Sequence, residues 1–125
     1  MTNEEQKPKL LFADDNGEYR TSMVRALGRD YDVSQVCNAD ELITEAQKPG
    51  YFLIITDNNM GDGYGDSGLH AIRQIRAKGI STPIFLHSAG PRDLEERAMQ
   101  AGATGFIEKP VNLRELKEMI AKCAP

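Results

Sequence analysis

Short apolar runs alternate along the chain with longer stretches in which apolar residues recur every three or four positions. The short runs fall at 9–14, 32–36, 52–57, 83–88 and 104–108, and their length and composition predict β-strands. All but the run at 32–36 are strongly apolar, as strands covered on both faces require. An amphipathic stretch follows each run, so the pattern predicts five βα units around a parallel sheet, an α/β fold.

The helix signals are specific enough to assign faces. A helix over 18–27 sets Tyr19, Met23 and Leu27 on one stripe, with Gly28 available as a left-handed residue beyond its end. Asn38 opens the second helix as a cap, Glu41 returns the hydrogen bond, and Pro49-Gly50 stops it. The third, over 68–78, buries Leu69, Ile72 and either Ile75 or the stem of Arg76, and ends at Gly79. The fourth takes Pro91 into its first turn, points Leu94, Ala98 and Ala101 inward, and ends at Gly102. Ser88 is also placed to cap it. The fifth, over 113–123, points Leu113, Leu116, Ile120 and Cys123 inward and Arg114, Lys117, Glu118 and Lys122 outward.

Length and composition narrow the class. The 125 residues fit one domain over 9–125 behind a polar tail at 1–8. Hydrophobic residues at 40% and charged residues at 27% exclude a disordered or membrane-embedded chain. A net charge of −4, with 15 basic residues dispersed along the sequence, argues against a nucleic-acid surface. Cys37 and Cys123 have no metal-ligand spacing and read as apolar fillers in a reducing compartment. The N-terminus has no apolar segment that would serve as signal peptide or anchor, so a cytoplasmic location is expected.

Chemistry concentrates where the strands end. Asp14-Asp15 follow the first run, Asp57 the third, Ser88 the fourth and Lys109 the fifth; in an open parallel sheet these carboxyl ends share one edge, where sites form. Two unit charges about 4 Å apart repel by roughly 4 kcal/mol at an effective dielectric near 20, so three converging carboxylates imply a compensating cation. Magnesium suits an all-oxygen set of this kind. A hydroxyl and an ammonium nearby complete a cradle for a phosphoryl group.

On the acidic pair Asp14-Asp15, the acceptor position Asp57, Ser88-Ala89 and the segment Phe106-Ile107-Glu108-Lys109-Pro110, the chain resembles the receiver domain of two-component response regulators, over nearly its whole length. The resemblance implies a flavodoxin-like (βα)5 fold, a doubly wound parallel five-stranded sheet of order 2-1-3-4-5 between two helix layers. It implies that Asp57 accepts a phosphoryl group from a phosphohistidine on a sensor histidine kinase or a histidine phosphotransfer protein. Asp15, Asp57 and the backbone carbonyl of Asn59 would bind magnesium, or manganese in its place, with Asp14 acting mostly through water. Lys109 would pair with the phosphoryl group; Ser88 and Phe106 would switch the surface of the fourth helix, fifth strand and fifth helix for an unidentified downstream protein or a homodimer. Pro110 would follow a cis bond.

The sequence departs from the family at three places. Gly61 stands where a proline is usual, about three residues are inserted between Asp57 and Gly68, and Ser88 and Phe106 replace the commoner threonine and tyrosine. The glycine-rich stretch 61–68 reads as a mobile loop; it lacks the ligand periodicity of a calcium loop. His70 reads as a helix-surface residue and His87 as a strand residue facing away from Ser88, neither with a role. A receiver that no longer takes phosphate and binds constitutively is the main rival. An aspartate-nucleophile phosphatase would need an acid where Asn59 stands, and a flavin mononucleotide carrier would have its phosphate repelled by Asp14-Asp15.

Overall fold

A computed structural model describes residues 6–125; of the tail at 1–8, residues 1–5 lie outside it. Five strands, β1 (Lys9–Ala13), β2 (Asp32–Val36), β3 (Tyr51–Thr56), β4 (Ile84–Ser88) and β5 (Gly105–Glu108), alternate with α1 (Gly17–Leu27), α2 (Ala39–Ala46), α3 (Ser67–Ala77), α4 (Leu94–Ala101) and α5 (Leu113–Cys123). The sheet is parallel, in the order β2-β1-β3-β4-β5. This is the expected flavodoxin-like topology, with the chain reversing direction across the sheet between β1 and β3.

Strand alternation sorts the core into two layers. Leu10, Phe12, Leu53, Ile55, Phe85 and Ile107 face α1 and α5, packing on Met23, Leu27, Leu116 and Ile120. The intervening Leu11, Ile54, Ile84 and Leu86 face α2, α3 and α4, meeting Leu42, Leu69, Ile72, Ile75, Leu94 and Ala98. Because β1, β3 and β4 are covered on both sides, nearly every residue in them is buried. β2 and β5 are the edges. That explains the polar residues of 32–36, and the part-exposed burial of both strands.

Several local expectations are corrected. Gly28 takes a right-handed φ of −68°, since its N–H continues the helix onto the Val24 carbonyl and the chain then turns on Leu27. Pro91 lies outside α4: its carbonyl accepts from Leu94 N in a turn that precedes the helix, and Asp93, not Ser88, holds the cap position. Leu113 is exposed at the first position of α5, whose buried residues are Leu116 and Ile120. Asn38 caps α2 through Glu41 N as expected, but the Glu41 carboxylate accepts from Cys37 N.

The loop at 61–68, expected to be mobile, makes several side-chain contacts with the helices around it. Asp62 accepts from Ala39 N at the start of α2 and from the Ser67 hydroxyl. The Tyr64 hydroxyl donates to Asp40, and its ring stacks on His70 at 4.0 Å between centroids. Asp66 accepts from Asn58 Nδ2 and pairs with Arg97 of α4. Gly61, Gly63 and Gly65 all have positive φ, so a proline, locked near −65°, could not occupy position 61 here.

Candidate functional site

The backbone ladder extends one step past β1, β3 and β5 and sets the residues that follow them in a row. Asp14 N donates to the Val36 carbonyl, Asp57 N to the Ala13 carbonyl and Lys109 N to the Ser88 carbonyl. Residues 14, 57, 88 and 109 are thereby fixed at the carboxyl edge of the sheet, beside the reversal between β1 and β3. Gly68 lets α3 approach: a Cβ there would stand 2.4 Å from the Asp57 carbonyl oxygen and 2.9 Å from Asn58 Cα.

Asp14, Asp15 and Asp57 each present an oxygen to one small volume, all three within 4.8 Å of one another. Lys109 Nζ lies 3.3 Å from Asp14 Oδ2 and 3.6 Å from Asp57 Oδ1. One ammonium therefore pairs with two of the three carboxyl groups, and the donor set is all oxygen, hard and anionic. Those properties fit magnesium or manganese. Asp14 is fully buried; its Oδ1 accepts from Asn16 N, and its carbonyl from Arg20. Asp57 Oδ1 accepts from Asn58 N at 2.8 Å. Burial raises the Asp57 pKa above the usual carboxylate range, Asp14 and Asp15 add to the rise, and Lys109 and the Asn58 N–H oppose it.

The other expected residues lie in or just beyond β3, β4 and β5. Ser88 is buried as the last residue of β4. Asn59 is exposed, with its side chain accepting from Gly61 N. Phe106 is half-buried against the layer holding α4, lining a groove with Gly90, Pro91 and Glu95. The Lys109-Pro110 bond is cis.

Two residues at the site were assigned no part in it from the sequence. Tyr19, expected only as core, puts its ring under Lys109 Nζ at 4.7 Å from the centroid. His87, buried on the face opposite Ser88, meets the Tyr19 hydroxyl at 2.5 Å through Nε2. Burial, then Asp14 and Asp57, raise the Tyr19 pKa, so the phenol keeps its proton. A histidine inside the otherwise apolar run Ile84-Phe85-Leu86-His87 was the available signal.

Fold and site together define a flavodoxin-like α/β protein with an acidic, lysine-flanked cleft at the edge where such sheets place their ligands. The chain belongs to the response regulator receiver domain family, whose model matches residues 10–121. It is 32% identical over 117 residues to the response regulator protein PilR of Pseudomonas aeruginosa, covering 92% of this chain and 26% of that protein. The chain thus spans about a quarter of the length of that relative. The signal receiver domain of a putative LuxO repressor from Vibrio parahaemolyticus superposes with a TM-score of 0.83 at 27% identity, over 94% of this chain and 89% of that one. The receiver domain of sensor histidine kinase PA1611 from P. aeruginosa, with a magnesium ion coordinated in its active-site cleft, gives 0.78 at 28% identity, over 93% and 96%. Among the described residues no helix is long and apolar enough to cross a membrane.

Proposed function

We propose that this receiver domain takes a phosphoryl group onto Asp57 from a phosphohistidine on a sensor kinase or phosphotransfer protein. The observation that carries the reading is the meeting of Asp14, Asp15, Asp57 and Lys109 in one cleft. A carboxylate oxygen of Asp57 attacks phosphorus as the P–N bond to histidine breaks, and the imidazole leaves with its electron pair. Asp15, Asp57 and the Asn59 carbonyl would hold magnesium, with Asp14 reached through water; the bound ion supplies charge neutralisation between the carboxylates and the incoming phosphoryl oxygens. Lys109 neutralises one of those oxygens, and Ser88 donates to another after transfer.

Phosphorylation then acts by differential contact. Ser88 bonds the phosphoryl group only in the switched conformation, Phe106 of β5 moves inward, and the surface of α4, β5 and α5 changes for a partner protein or a second copy. Acetyl phosphate with magnesium should add one phosphoryl mass to the protein and none to Asp57→Ala or to protein in chelator. Beryllofluoride should shift the ring resonances of Phe106. Absence of both effects would reject phosphoacceptance and leave the constitutive binding module.

A further inference from the structure

Lys109 is held from a side that the carboxylates do not occupy. Its ammonium lies 4.7 Å from the centroid of the Tyr19 ring, within cation–π reach. That ring is itself fixed, stacked on His87 at 5.7 Å between centroids and tilted against Phe12 at 6.4 Å. The two nitrogens of His87 are divided between the Tyr19 hydroxyl, on Nε2, and the Ile107 carbonyl, 3.3 Å from Nδ1. A carbonyl can only accept, so the proton is assigned to Nδ1, and the bare Nε2 accepts the Tyr19 O–H. Ile107 stands two residues before Lys109, and the imidazole therefore joins α1 to the strand that delivers the lysine.

We propose that Tyr19 is a positioning residue for phosphoryl transfer: its ring face steers the Lys109 ammonium into the cleft, and His87 sets the angle of that ring. The inference rests on the reading of Asp57 as acceptor and Lys109 as the phosphoryl partner. Lysine carries its charge on a flexible four-carbon stem, and this one is about a quarter exposed. Two carboxylates alone attract the ammonium without fixing its direction of approach. The ring supplies a third, apolar wall.

Tyr19→Leu removes the ring face, whereas Tyr19→Phe keeps it and loses only the bond to His87. Phosphoryl uptake from acetyl phosphate at saturating magnesium should slow by about two- to thirtyfold in Tyr19→Leu, the range of a cation–π contact, and by less in Tyr19→Phe. Magnesium affinity should be unchanged in both. In a Lys109→Ala background the Tyr19→Leu loss should vanish, because the ring then has no ammonium to hold. A loss of equal size in both backgrounds, or a full rate in Tyr19→Leu, overturns the proposal. The methylene protons of Lys109 give a readout that needs no phosphorylation. They should be displaced upfield by the ring current in the metal-free protein and in Tyr19→Phe, and return to ordinary positions in Tyr19→Leu. Ordinary positions in the unmodified protein overturn the proposal even if phosphorylation is normal. Displaced protons in a protein that accepts no phosphoryl group reject the acceptor reading and not the cradle.

Discussion

Acid should destabilise this fold through His87 more than through any solvent-exposed histidine. Burial first, and then the charge of Lys109, push the His87 pKa down to about 4, against the opposing pull of the Ile107 carbonyl and Asp14. A second proton on Nε2 would also force the Tyr19 hydroxyl to reverse and accept. The unfolded imidazole, by contrast, takes its proton near the ordinary value of about 6.5. A base whose folded pKa is depressed stabilises the fold fully above the unfolded value and loses that contribution as pH falls toward the folded one. Across the window from about 6.5 to about 4 the loss approaches roughly 1.4 kcal/mol per pH unit, or about 2 kcal/mol between about pH 7 and about pH 4.5. Urea unfolding in chelator at a series of pH values measures it, with His87→Gln as the reference that cannot charge. The carboxylate titrations common to both proteins cancel in the difference. Stability curves that run parallel for the two proteins, or a His87 resonance in the folded protein titrating near 6.5, would refute the reasoning.

Three further outcomes are expected. Gly68→Ala forces a Cβ against the Asp57 carbonyl, Asn58 and Leu86 Cδ1; it should lower stability by about 1–3 kcal/mol and shift the Asp57 amide resonance, and an unmoved amide with unchanged unfolding would contradict the close approach. Magnesium at about a hundredfold over its dissociation constant should raise unfolding stability by about 2.7 kcal/mol, with the gain lost in Asp15→Asn; equal midpoints with and without the ion would remove it from the cluster. Arg97→Ala breaks a pair whose side chains are 37% and 44% exposed, so the change in stability should stay below about 1 kcal/mol and shrink in high salt; a larger loss would show that Asp66 depends on Arg97 more than exposure allows.

The sheet was legible because short, continuously apolar runs report burial on both faces directly. Leu10 to Ala13 and Leu53 to Thr56 are buried in the structure for the reason their composition suggests, a helix layer on each face. Helix ends were less legible: Pro91 suits a turn as well as a first helical turn, and it stands in a turn whose carbonyl accepts from Leu94 N. Leu94 folds over Gly90, where a Cβ would stand 2.2 Å from Leu94 Cδ2. The acidic half of the site follows from strand ends, because residues after parallel strands share an edge whatever the helices do. Tyr19 and the loop at 61–68 could not be read in the same way. Their partners, Lys109 and His87 for the one, Ala39, Asp40 and Arg97 for the other, are remote in sequence, and no local periodicity encodes those pairings.

Two physical routes lead from Asp57 toward α4, and their magnitudes separate them. One is polar: Asn58 N donates to Asp57, Asn58 Nδ2 to Asp66, and Asp66 pairs with Arg97 on α4. Its last link is an exposed ion pair, worth at most about 1 kcal/mol. Carrying a two-state surface from about 1:99 to 99:1 takes roughly 5.5 kcal/mol of differential binding. On the proposed reading a phosphoryl group gains a charge-assisted hydrogen bond from Ser88, about 1.5–3 kcal/mol, only in the switched state. That bond outweighs the ion pair that ends the polar chain, and the polar chain alone falls several kcal/mol short. On that reading the loop at 61–68 ties α2 and α4 to the segment after Asp57, and the drive for switching comes from Ser88 at the end of β4 and Phe106 in β5.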